Sequence, residues 1–191
     1  MTPTRKCGDT HRPSRRSVRY DRRVATRELI LDALQRLVLE GDSSPSLDAV
    51  AAAAGVSKGG LLHHFPDRRS MVVGLLLRAV EQTDTAMTQA ALDGTAAVTW
   101  IRMSAVAGPA EPAARAVLAL IRLTGAGRIQ LPDEIGASIR RWQELISSEV
   151  GDPVLGEVVR LVGDGLFVEA LTGQSPDPGR VDAILDRLLP S

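Results

Sequence analysis

Two serine caps set either side of one glycine constrain this chain more than any other feature. Ser46 and Ser57 each open a helical run, where a hydroxyl accepts a hydrogen bond from an amide that the first turn leaves unpaired. Between them Gly55 stands where a left-handed residue ends one helix, and apolar Val56 follows it. The segment therefore reads helix, tight turn, helix. Pro66 ends the third helix near His64 or Phe65, because the residue before a proline disfavours helical backbone. Upstream, between Asp21 and Glu40, the residues Ile30, Ala33, Leu34, Leu37 and Val38 recur at the spacing of one helix face, and Gly41 stops the run. Leu47, Val50, Ala51 and Ala54 form the stripe of the second helix, with Asp48 facing the positive end of its dipole. Asp67 caps a long fourth helix from about Arg68 to Leu92.

The rest of the 191 residues keeps this helical pattern. It breaks at Gly94, Gly108-Pro109, Gly125 to Gly127, Leu131-Pro132, Gly151 to Pro153 and Gly173 to Pro178. No stretch has the sustained period-two, β-branched alternation of a sheet. An all-α chain of about nine helices is predicted.

Charge is distributed unevenly along a chain whose net charge is zero. Residues 1 to 70 carry 13 Lys/Arg against 8 Asp/Glu, or +5, so the remainder carries −5. A basic front and acidic back suit a protein that holds a polyanion at one end, although a basic tail on a neutral domain gives the same numbers. Residues 1 to 20, rich in Arg, Ser, Thr and Pro, lack the apolar surface to order themselves and read as a disordered basic arm. That arm either adds phosphate or minor-groove contacts or is inert. The single Cys7 allows no intrachain disulfide, no secretory apolar core is present near the start, and no apolar run reaches a membrane span. A cytoplasmic protein is expected. The three histidines, at 11, 63 and 64, and the lone cysteine make no catalytic set or metal-ligand spacing, so neither an enzyme nor a cofactor is expected.

Residues 46 to 80 resemble the tetracycline-repressor (TetR) family. The match runs through Ala51, Ala54, Gly55, Val56, Ser57, Lys58, Gly59, Leu61, His63, Phe65, Pro66 and Arg68. Independently of the family, a short helix with a cationic start can enter a major groove, where its first residues reach base edges. Lys58 is the only lysine after residue 6. The resemblance implies a DNA-binding surface of Ser46, Ser57, Lys58, Gly59, Gly60, Leu62, His63 and Arg68, with His63 donating to a phosphate and Phe65 in the core. Two residues depart from the pattern, since the family commonly has a hydroxyl residue at Gly60 and an aromatic, usually tyrosine, at Leu62. Gly59-Gly60 also weakens an isolated helix by roughly 1 kcal/mol per residue relative to alanine, so the reader helix is expected to fray without DNA.

The resemblance divides the chain into the arm at 1–20, a helix-turn-helix DNA-binding domain at 21–66, and a helical effector-binding and dimerisation domain at 67–191. It implies a homodimeric regulator, a repressor released from a pseudo-palindromic operator by a small-molecule effector. A helical ligand-binding or interaction protein without specific DNA binding is the alternative. The family's effector pocket lies among the middle helices, where Met87, Trp100, Met103, Arg122 and Trp142 are the large side chains. The tryptophans are either pocket walls or ordinary core, and Arg122 either meets an acidic ligand group or reaches solvent. Leu161 to Leu171 resembles the penultimate helix, followed by a last helix from about Gly179 to Leu189. In the family these pair with their symmetry mates, which places Leu161, Gly165, Leu166, Val168, Ile184 and Leu188 at a dimer interface, where Gly163, Gly165 and Ala170 let backbones approach.

Overall fold

The computed structural model describes residues 15–42, 44–106, 132–171, 174 and 176–189. Among them the chain forms eight helices and no strand: α1 (Arg15–Leu39), α2 (Leu47–Ala54), α3 (Lys58–His64), α4 (Arg68–Leu92), α5 (Ala96–Val106), α6 (Asp133–Val150), α7 (Pro153–Leu171) and α8 (Pro178–Leu188). No helix of the described residues is long and apolar enough to cross a membrane.

The local signals act where the sequence places them. Ser46 Oγ accepts from the Ala49 amide at 3.1 Å and Ser57 Oγ from the Gly60 amide at 3.0 Å. Gly55 takes φ +67°, and the amides of Gly55 and Val56 return to the carbonyls of Ala52 and Ala51, satisfying the end of α2. Asp67 and Ser70 exchange side-chain and backbone bonds in a capping box that starts α4.

α1 begins at Arg15, so residues 15–20 are helical and not part of an arm. The difference has a simple cause. Once the packed part of α1 exists, extending it costs no new nucleation, and the polar Arg-rich run contains no proline after Pro13 to stop it. The penultimate helix likewise starts well before Leu161. Pro153 occupies its first turn, and Asp152 Oδ1 accepts from the amides of Val154 at 2.8 Å and Leu155 at 3.3 Å.

Two apolar clusters organise the packing. The first joins Ile30, Leu31, Leu34, Val50, Leu61 and Phe65 of the first three helices to Met71, Val72 and Leu75 of α4. The second joins Met87 and Ala90 of α4 to Ala97, Ile101, Trp142, Ile146, Val159, Leu166, Val181 and Leu185 of α5 to α8. Helix α4 belongs to both, so its first half is built into one cluster and its second half into the other. Ile135 of α6 reaches the first cluster. Glu149 of α6 caps the start of α5, accepting from the amides of Ala96 and Ala97.

Candidate nucleic-acid interface

Helix α3 buries one residue, Leu61, and its C-cap Phe65. Leucine at the inner position holds the helix on the first cluster, and Lys58, Gly59, Leu62 and His63 are left on the outside. The seating of α3 is tight at its end. A side chain at Gly74 of α4 would put its Cβ 2.7 Å from the Phe65 ring, and Arg27 of α1 lies over that ring at 5.5 Å. Arg36 of α1 donates to the Ala53 carbonyl at 2.8 Å, tying α1 to the end of α2.

Most of the basic groups predicted to meet DNA have partners inside the molecule. Lys58 Nζ lies 2.9 Å from Asp48 Oδ2, with both side chains more than half exposed. Arg68 donates to Ser44 Oγ in the turn before α2. Exposed pairs of this kind contribute little and exchange readily for a phosphate. His63 is exposed, and its ring meets that of His64 edge to face with centroids 5.6 Å apart. No group of metal-ligating side chains exists among the described residues. His64 titrates below the ordinary histidine range, first because partial burial disfavours the imidazolium and then because His63, Arg23 and Arg27 surround it with positive charge.

The geometry is that of two capped helices at a glycine turn, the second presenting a cationic outer face. Residues 30–75 match the sequence model of the bacterial regulatory proteins of the tetR family. Residues 94–190 match that of the tetracyclin repressor-like C-terminal domain. The chain belongs to the TetR family. It is accordingly a DNA-binding transcriptional regulator, with the helix-turn-helix domain in front and the family's C-terminal domain behind, all-helical among the described residues.

Solved structures agree on the fold of this TetR-family chain. NalD, the secondary repressor of the MexAB-OprM multidrug efflux pump in Pseudomonas aeruginosa, superposes with a TM-score of 0.58 at 20% identity, over 88% of this chain and 95% of NalD. The multidrug binding protein EbrR, solved with imidazole, gives 0.56 at 23% identity over 96% of each chain. No curated protein sequence matches the chain significantly.

In the C-terminal domain the structure gathers three of the five candidate effector residues. Met87 is fully buried, Trp142 nearly so, and Trp100 half-buried with its ring 5.5 Å from that of Trp142. Met103 is exposed, and Arg122 lies outside the described residues. The two indoles are fastened at opposite ends. Trp142 Nε1 donates to Asp84 Oδ1 of α4 at 2.5 Å, and Trp100 Nε1 donates to the Arg160 carbonyl of α7 at 3.1 Å. Asp84 also accepts from Ser138 at 3.0 Å and from Arg141. Burial alone would raise its pKa, but the bonds from Arg141, Trp142 and Ser138 outweigh burial and hold the carboxyl below the usual range. Asp84 and Arg141 were not singled out by sequence, where nothing distinguishes them from surface charges. A hollow of about 400 Å³ beside them, lined by Glu81, Asp84, Thr85, Thr88, Gln89 and Arg141, contains none of the predicted effector residues.

The predicted dimer residues on α7 fall on two of its faces. Leu161 and Val168 are more than half exposed, and Gly165 is open, with nothing within 4 Å of an added Cβ. Leu166 and Ala170 are buried within their own chain, so their expected place at the interface is corrected. The same holds for Gly163, where an added Cβ would collide with the Trp100 indole. The reason is register: α7 is apolar on both sides, and sequence spacing alone cannot say which stripe faces inward. Ile184 and Leu188 are half-buried against the second cluster of the same chain.

Proposed function

We propose that this TetR-family regulator is a homodimeric repressor that binds a pseudo-palindromic operator through α3 and is released by a small-molecule effector. The observation that carries this reading is the outer face of α3, where Lys58 and His63 stand exposed on a helix capped by Ser57 and anchored by Leu61 and Phe65. Ser46, Ser57 and Arg68 border that face, and Gly59 and Gly60 allow close approach of the backbone to a groove.

Dimerisation supplies the second reader. Val154, Val158, Leu161, Gly165 and Val168 recur on α7 at steps of four and three, and the four apolar side chains are 39 to 71% exposed. That heptad spacing on a free face suits a seam with the same stripe of a second copy, with Gly165 at its closest approach. Helix α8 turns Val181 and Leu185 inward, so α7 provides most of the seam.

Release follows from α4. Its first half carries the reader, and its second half carries Asp84 and Met87 beside the tryptophans. An effector entering near Trp100 and Trp142 favours a position of α4 that separates the two readers, and reciprocally the operator weakens effector binding by the same factor.

The test is fluorescence anisotropy of the purified protein on DNA from upstream of its own coding region, across a salt series and against scrambled DNA. Sequence-dependent binding by two protomers that falls steeply with salt is expected. Lys58→Ala and His63→Ala weaken it without unfolding the protein. Failure of genome-wide selection to enrich any site overturns the reading in favour of a ligand carrier.

A further inference from the structure

Between residues 44 and 91 the chain exposes one large apolar side chain, Leu62, at 38%. It stands on the outer face of α3 in company that isolates it. Lys58, one turn before it on the same side, is drawn toward Asp48. Gly59, three residues before it, offers no side chain, and an added Cβ there would meet nothing within 4 Å. His63 follows at the polar edge. The centre of the reading surface is therefore an isobutyl group beside bare backbone. No hydrogen-bonding side chain stands at Gly59, Gly60 or Leu62 to read a base edge.

In the major groove one base-pair feature is apolar, the C5 methyl of thymine. Bare backbone at Gly59 lets the helix sink far enough for a leucine to reach it. We propose that Leu62 is a specificity-determining residue that packs on a thymine methyl in each half-site of the operator. The inference rests on the reading of α3 as the DNA reader. It replaces the hydrogen-bonding phenol that the family resemblance expects with a contact that only an apolar partner rewards, and Lys58 and His63 are left to hold the flanking backbone.

The experiment uses the full-length protein on its operator, obtained by selection from random duplexes. Each thymine of the selected site is replaced in turn by deoxyuridine, which keeps every hydrogen-bonding group and removes only the methyl. Loss of one buried methyl weakens binding about fourfold per half-site, and about fifteenfold with both half-sites substituted. Leu62→Ala binds more weakly and no longer distinguishes thymine from deoxyuridine at that position, whereas Leu62→Met retains the distinction. Both variants leave Leu61 and the core untouched, so folding is preserved. A wild-type protein indifferent to deoxyuridine at every position, or a Leu62→Ala variant that keeps the full discrimination, overturns the proposal while leaving α3 as the reader. A selection that enriches no sequence overturns both.

Discussion

Asp48 is the ion-pair partner of Lys58, the residue proposed to meet DNA. Its carboxylate lies 2.9 Å from the ammonium, so a phosphate that took Lys58 in the proposed complex would have a like charge beside it. Asp48→Asn releases Lys58 and removes a repulsive charge. It is expected to tighten binding to operator and scrambled DNA alike, by about two- to fivefold at low salt and less at high salt, because the effect is electrostatic. Anisotropy on both duplexes checks this, and a gain confined to the operator would contradict it. His64 gives a second measurement. Its folded pKa lies below that of the unfolded chain, so as pH falls through the ordinary histidine range the unfolded state takes up the proton first. The His64 contribution to stability is thus present at neutral and higher pH and is lost as pH falls toward the folded pKa. As pH drops through that window the denaturant midpoint of the wild type is expected to fall relative to that of His64→Gln, and a difference that stays constant with pH would contradict it. The caps at Ser46, Ser57 and Asp67 were legible in the sequence because each acts within three residues of itself. The partners of Lys58 and Arg68 were less so, since Asp48 is ten residues away and Ser44 twenty-four, joined only by the fold.

At the scale of helices, register decides what sequence periodicity leaves open. Helix α1 presents Ile30, Ala33, Leu34 and Val38 inward as their spacing predicts, yet Leu31 is buried as well, because α2, α3 and α4 all pack on α1. Helix α7 carries apolar residues on two stripes, and Leu166 and Gly163 lie on the one that faces Trp100 and the second cluster of the same chain, not on the exposed one. Gly163 is the more informative of the two. An added Cβ would overlap Trp100 Nε1, so Gly163→Ala forces the indole off its bond to the Arg160 carbonyl. A cost of about 1–3 kcal/mol is expected, read as a lower denaturation midpoint with an altered tryptophan emission. Asp84→Ala tests the other end of the indole pair. It leaves the Trp142 N–H and the Ser138 hydroxyl without their acceptor and removes the carboxylate that pairs with Arg141, for a loss of about 1–3 kcal/mol. Unchanged midpoints in both variants would mean that the pair contributes nothing to holding α4 against α6.

At the scale of the whole molecule the proposed function makes two requirements that no single helix meets, a reader held rigidly to a lever and a lever held to a dimer. Arg78 of α4 serves the first. Its largely buried guanidinium donates to Asp32 at 2.6 Å and Gln35 at 2.5 Å on α1, with Glu28 at 3.4 Å. The exposed stripe of α7 is the proposed answer to the second, and the two can be separated by experiment. Leu161→Glu places a charge in the proposed seam on a side chain already 52% exposed in the single chain, so the protomer should fold with its helical content intact. In the proposed dimer the same charge would be buried in an apolar seam, where the cost of desolvating it opposes association. Sedimentation should therefore find a monomer. Operator binding should fall by at least about a hundredfold, because two half-site contacts no longer act together. The slope of log affinity against log salt should drop to about half, since one reader neutralises half as many phosphates. A Leu161→Glu protein that remained dimeric would move the interface off this stripe. One that became monomeric yet kept full operator affinity would show instead that a single reader is enough, and the palindromic operator would lose its physical reason.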